Sequence, residues 1–287
     1  MTFDFGDRMT PFRDKAIERG IPTEDVDNWL TLTRPCATLS PNGEGPVVGR
    51  FGGPLLLPAD VPVPPHPFVA SLDLAALPAG FTDLDLPADG HLLLFAFPED
   101  EGDPVSMGSV VYVPAGADVT EQDLNAWNEW DIDDYDTMFK EFPQGPVRAT
   151  ADVSLPNHHA FEVRGERRAG PIPGHPRAEA LVDAWQDTRE GIINADATLQ
   201  IGGYADEEAV YTDPLGAVVS RARWAVEKGK WDGPVSDDVS DWVLLADWYA
   251  GADVSGWESA TVHWGIQRED LAARRFDRAF AQVFYNP

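Results

Sequence analysis

The chain has 287 residues and a formal charge of −28, set by 49 acidic against 21 basic side chains. That charge repels a phosphate backbone at long range and excludes DNA and RNA as expected partners. Apolar residues at 43% with ten tryptophans exceed what disordered chains carry, so a globular chain with a substantial core is expected.

The first residues, Met1-Thr2-Phe3-Asp4-Phe5-Gly6-Asp7, lack the basic start and apolar stretch of a signal peptide, and a cytoplasmic protein is expected. No apolar run approaches the roughly 20 residues of a membrane helix, so no membrane is expected as partner. A first helix is predicted with Thr10 as N-cap, Pro11 at the first helical position, Phe12, Ala16 and Ile17 as its apolar residues and Gly20 as its stop. It is expected to cover an edge of the first half. Cys36, the single cysteine, can form no internal disulfide and reads as a small buried hydrophobe, because no local basic cluster would stabilise a thiolate.

From Pro41 to Pro67 prolines and glycines are dense, which predicts a rigid irregular coil with Leu55-Leu56-Leu57 packing inward. Strands are predicted at Phe68 to Leu74, His91 to Phe97 and Ser109 to Val113, bounded by Pro and Gly and joined in one antiparallel sheet. Thr120-Glu121-Gln122-Asp123 has capping-box-like spacing and predicts a helix start, with Leu124 and Trp127 on its apolar stripe. Asp131 to Asp136 then reads as a solvated acidic bend. Helices are predicted over Arg177 to Ile192, expected to bridge the halves, and over Ala217 to Lys228. Trp242 to Asp247, Ala260 to Ile266 and Arg278 to Phe284 repeat the strand pattern.

One motif occurs twice. Gly52-Gly53-Pro54 precedes the apolar run Phe68 to Asp73, and Gly202-Gly203-Tyr204 precedes Trp242 to Asp247; each run ends on aspartate and a second strand follows. This order predicts an α+β fold, internally duplicated, with largely antiparallel β-sheets, peripheral helices and long Pro/Gly-rich coils. A single compact domain is expected over 1–287, made of two related halves at about 1–150 and 151–287, with Gly53 aligned to Gly203 and Asp73 to Asp247.

The quoted residues resemble the YwqG-like family of bacterial proteins. The matching segments are Gly49-Arg50-Phe51-Gly52-Gly53-Pro54, Phe68-Val69-Ala70-Ser71-Leu72-Asp73-Leu74, Leu86-Pro87-Ala88-Asp89-Gly90, Leu199-Gln200-Ile201-Gly202-Gly203-Tyr204, Leu244-Leu245-Ala246-Asp247, and Asp270-Leu271 with Phe276. Where that family commonly has a glutamine two places before each aspartate, this chain has Ser71 and Leu245, and the family's Trp-Gly-Asp stretch stands here as Trp257-Glu258-Ser259. The resemblance implies an α+β fold of two related halves and names no reaction or cofactor.

A paired glycine permits positive φ and serves either a tight turn or a ligand cradle. Each aspartate that ends an apolar run either caps the next turn or faces a cleft shared by the halves. The six histidines form no zincin pattern, and adjacent His158 and His159 point to opposite faces of an extended backbone, away from a common ion with His175. Arg164, Arg167 and Arg168 form a basic island that reads as paired with the chain's own carboxylates. No G-x-S-x-G elbow and no G-x-x-x-x-G-K loop is present, and the missing catalytic motifs argue against an enzyme. No metal ligand or cofactor is expected. The residues singled out for ligand binding are Gly52, Gly53, Asp73, Gly202, Gly203, Tyr204, Asp247 and Trp257.

Two functions follow. The first is an uncharacterised cytoplasmic binding protein, immunity-like or escorting a basic protein partner, from the acidity and the tryptophans. The second is an enzyme or small-ligand or metal binder with a cleft between the halves.

Overall fold

Along Ala260–Gln267, Val262, Trp264 and Ile266 belong to one buried apolar cluster while Thr261, His263 and Gly265 alternate with them on the other face. This period of two lets a strand fill a core with one face and offer the other to a covering layer. The computed structural model describes residues 6–97, 105–124, 126–127, 139–162, 169–254 and 260–285. Among them lie fourteen strands. They are β1 (Arg34–Ser40), β2 (Val47–Phe51), β3 (Leu55–Pro58), β4 (Phe68–Asp73), β5 (His91–Ala96), β6 (Gly108–Val113), β7 (Val119–Gln122), β8 (Gly145–Ser154), β9 (Ala160–Glu162), β10 (Ala169–Pro171), β11 (Leu199–Gly202), β12 (Trp242–Trp248), β13 (Ala260–Gln267) and β14 (Phe280–Tyr285). The helices are α1 (Thr10–Glu18), α2 (Thr23–Leu30), α3 (Ala178–Gln186), α4 (Leu215–Glu227), α5 (Ala250–Asp253) and α6 (Arg268–Ala272).

Ten strands form one antiparallel sheet in the order β14-β13-β12-β11-β1-β8-β2-β4-β5-β6. A central β1–β8 pair is thus flanked by two four-strand meanders, β2-β4-β5-β6 and β11-β12-β13-β14. The outer edges of the meanders curl toward each other. Met107 N donates to Ala281 O at 3.2 Å, and the Trp264 indole donates to Phe95 O at 3.0 Å. The sheet is therefore nearly barrel-shaped, and its inner face holds Leu39, Leu72, Leu94, Ile201, Trp248 and Trp264.

Three layers cover the outside. The two-stranded β3–β7 sheet packs Leu55 and Leu57 on Leu93 and Phe95. Helix α4 lays Val218, Val219 and Ala222 on Trp242, Leu244 and Phe280. Its approach is close at Gly265, where a Cβ would stand 2.9 Å from Val218 Cγ1. Helices α1, α2 and α3 join through Phe12, Trp29 and Trp185 and pack against Val153 and Leu155.

Several expectations are corrected. Residues 119–122 form strand β7 rather than a helix start, because Leu55↔Gln122 to Pro58↔Val119 pairing satisfies the backbone that a helix would otherwise have to. The Pro41–Pro67 stretch is not all coil: it contains β2 and β3, and the alternation within β3 buries Leu55 and Leu57 while Leu56 is 41% exposed. Thr10 is the first residue of α1 and makes no cap bond; Met9 holds the N-cap position. Helix α1 packs on α2 and α3 rather than on an edge of the first half, and α3 ends at Gln186, followed by a short 3-10 turn at Arg189–Gly191. Cys36 is buried, as expected, and burial followed by the nearby Asp152 carboxylate pushes its thiol pKa up. The acidic bend at 131–136 and the basic island at 164–168 lie outside the described residues. No helix among the described residues is long and apolar enough to cross a membrane.

Candidate functional site

Both glycine pairs sit at the end of the first strand of a meander, and all four residues have positive φ: Gly52 +56°, Gly53 +89°, Gly202 +73° and Gly203 +75°. Strand pairing then fixes what stands beside them. In the first meander Arg50 lies opposite Ser71 and Phe51 opposite Ala70; in the second Gln200 lies opposite Asp247 and Ile201 opposite Ala246. An irregularity follows at matching places, between Phe68 and Ala70 on β4 and between Leu244 and Ala246 on β12. With the glycines superposed, the residue that matches Asp247 is Ser71, and Asp73 falls two residues further along. The aspartates occupy matching strands out of register.

Around Asp247 the second meander builds a buried charged cluster. His263, opposite Asp247 on β13, has no side-chain exposure; its Nδ1 lies 3.5 Å from Asp247 Oδ1 and its Nε2 3.5 Å from Glu207 Oε2. Burial is the largest influence on this imidazole and disfavours its charge, but the Asp247 and Glu207 carboxylates overcome it and raise the pKa to about 9. The group is therefore an imidazolium between two carboxylates at neutral pH. The second Asp247 oxygen accepts from Asp206 N at 2.9 Å, which ties down the loop that carries Glu207.

Asp247 also forms part of a cleft of about 350 Å³ on the outer face. Gln200, Tyr249 and Thr261 stand around it, and Glu190, Asp206, Glu208 and Arg189 form its charged rim. Arg189 is ion-paired with Asp206. The cleft is thus acidic: among the described residues four carboxylates face one cation. Its volume falls in the range of small-molecule sites.

The first meander carries clefts in the matching place. Two adjoining clefts, of about 410 and 380 Å³, share Arg50, Ser71, Asp73 and His91. By register these positions answer to Gln200, Asp247, Tyr249 and Thr261, since His91 and Thr261 each lie two residues before the partner of Ser71 or Asp247.

The residues singled out from the sequence separate into three groups. Asp247 lines the acidic cleft and Asp73 the clefts of the other meander; β12 and β4 are separated in the sheet by β11, β1, β8 and β2, so the two carboxylates do not share a cleft. Asp73 also caps the next turn, accepting from Ala75 N at 3.0 Å. Gly52 and Gly53 shape the turn beside Arg50. Gly202, Gly203 and Tyr204 serve packing: a Cβ on Gly203 would stand 2.8 Å from Ser154 Cβ and 3.0 Å from Cys36 Cβ, while the Tyr204 hydroxyl donates to Leu32 O at 3.0 Å and its ring lies under Arg34. Trp257 lies outside the described residues.

His158, His159 and His175 are engaged separately, beside Asp213, stacked on Tyr211 and edge-on to Trp29. No group of three potential metal ligands is assembled among the described residues. The sequence reasoning missed Arg50, Arg189, Glu207 and His263. His263 had a readable signal, a polar residue between Val262 and Trp264 in an otherwise apolar strand; Glu207, in an aperiodic loop, had none.

Fold and clefts together define an α+β protein on a nearly barrel-shaped antiparallel sheet, with cavities of ligand size on its outer face. The chain belongs to the family DUF1963, described as a domain of unknown function, whose model matches residues 49–283. No curated protein matches it.

Proposed function

We propose that this is a binding protein whose acidic cleft receives a positively charged group, an ammonium or guanidinium, carried by a small molecule or by a side chain of a basic protein partner. The observation that carries the reading is the charge of the rim: Glu190, Asp206, Glu208 and Asp247 surround a cavity whose one cation among the described residues, Arg189, is already paired with Asp206. Such a cavity lowers the cost of desolvating a cation because carboxylates replace its water. The formal charge of −28 adds long-range attraction and faster encounter with a cationic ligand. Nothing in the reading requires a covalent step, and the occupant it names is an organic cation.

The same reading treats the two meanders as descendants of one duplicated unit within a single domain, supported by the two left-handed glycine pairs and by the matching irregularities on β4 and β12. It also takes the chain as a cytoplasmic protein akin to the YwqG-like group of bacteria, on the strength of its motifs.

Calorimetric titration with agmatine, a lysine-rich peptide and their uncharged isosteres tests the proposal. Binding of either cationic probe, weakened by Glu190→Gln with Glu208→Gln, is the expected result; these two rim side chains are exposed and their loss leaves the buried cluster intact. Equal affinity for charged and uncharged probes would refute it.

A further inference from the structure

The clefts of the first meander also carry carboxylates, Asp73 and Asp89, but their arginine, the exposed Arg50, has no partner. Among the described arginines Arg50 alone makes neither a hydrogen bond nor an ion pair, although the chain has more than twice as many acidic as basic side chains. The geometry explains why. Gly53 lacks the Cβ that would stand 2.2 Å from Arg50 Nε and 2.3 Å from its Cζ, so the side chain folds over the glycine turn. Asp73 lies the other way along the sheet, since Arg50 pairs with Ser71 and Asp73 is two residues past it on the far side from the turn. An ordinary residue at 53 would push the guanidinium away.

We propose that this groove is a second binding site, independent of the acidic cleft, and that it takes a small amphipathic acid with one carboxylate head and an apolar body. The head would sit on Arg50, whose planar fork matches a carboxylate, with the Ser71 hydroxyl beside it, while exposed His91 stands across from Asp73. The body would lie along Pro54, Leu56, Leu93, Val113 and Pro114, which form the apolar wall of the 410 Å³ cleft. Leu56, 41% exposed at the lip, is the side chain such a body would cover. Asp73, two residues along β4 from Ser71, and Asp89, which lines the same cleft, select the head. One negative charge is balanced by Arg50, whereas a dianionic phosphate monoester is repelled by the carboxylates that share the groove.

Calorimetry with octanoate, octyl phosphate and octanamide tests this on the intact chain. Octanoate is expected to bind more tightly than octyl phosphate and at least about 10-fold more tightly than octanamide, the scale of one charge-assisted hydrogen bond. Arg50→Gln should remove the octanoate preference over octanamide while leaving thermal unfolding unchanged, because Arg50 holds nothing in place. Leu56→Ser should weaken octanoate and octanamide alike. The proposal is overturned if octanoate and octanamide bind equally, if Arg50→Gln leaves octanoate affinity intact, or if octyl phosphate binds more tightly than octanoate. Agmatine affinity should be the same in Arg50→Gln and the unaltered protein, so failure at one site is distinguishable from failure at the other.

Discussion

His263 Nδ1 stands 3.5 Å from Asp247 Oδ1, with the imidazole wholly removed from solvent and Glu207 on its far side. Its pKa of about 9 in the folded chain compares with the ordinary 6.5 when unfolded. A raised pKa means that the stabilisation is fully present below pH 6.5 and is lost as pH climbs through about 9. Linkage makes the change on the order of 3 kcal/mol. Urea unfolding between pH 6 and 10 should therefore show the unaltered protein losing more stability than His263→Gln, and two parallel profiles would contradict the buried imidazolium.

Asp152 is a second buried carboxylate, 1% exposed, and here every partner is in place. Arg8 and the Thr38 hydroxyl donate to it, and Asn194 N donates at 2.9 Å, so one side chain on β8 holds the N-terminal segment, β1 and the loop after α3. Asp152→Ala leaves the Thr38 hydroxyl and Asn194 N unmatched and removes one partner of the Arg8 guanidinium, which is 35% exposed and keeps its bonds to Ile192 O and Ala151 O. The expected loss is about 2–3 kcal/mol in chemical unfolding, the cost of the two unmatched donors, with little from the partly exposed arginine. A loss under about 1 kcal/mol would show that this network does not hold those segments.

Gly20 and Gly203 have nearly the same φ, +78° and +75°, but different surroundings. A Cβ at Gly20 meets nothing within 4 Å, whereas one at Gly203 meets Ser154 Cβ at 2.8 Å and Cys36 Cβ at 3.0 Å, atoms fixed to the backbones of β8 and β1. Gly20→Ala should cost about 1 kcal/mol, the strain of a left-handed alanine alone. Gly203→Ala carries that strain and an overpacking cost, about 2–4 kcal/mol in all. Equal losses in the two variants would mean that the glycine turn is not pressed against the sheet.

The strands best legible in the sequence were those with unbroken apolar runs of strand length, as β4, β5 and β12 have; Pro67 precedes the first, and Gly90 and Pro98 flank the second. The central pair was not. In β1 and β8, Thr38, Thr150 and Asp152 interrupt the short apolar pattern of Ala37, Leu39, Ala149, Ala151 and Val153, and Asp152 is satisfied by distant groups such as Arg8 that no local pattern reveals. Thr120 to Asp123 shows the opposite failure: a good capping pattern yields to pairing with β3, since tertiary contacts outweigh a local preference of about 1 kcal/mol. For the site, the glycine pairs and Asp247 were visible as repeats. The match of Asp73 to Asp247 was misleading, because Asp73 lies four residues beyond the irregularity at Val69 and Asp247 only two beyond that at Leu245. Position in a sheet follows pairing, not the end of an apolar run.

A crystal structure of the protein soaked with agmatine tests the acidic cleft most directly. The account predicts the guanidinium or ammonium group between Asp247 and Glu208, with the Glu207–His263–Asp247 cluster unmoved beneath it. Agmatine bound elsewhere at full occupancy, with that cleft holding solvent alone, would contradict it.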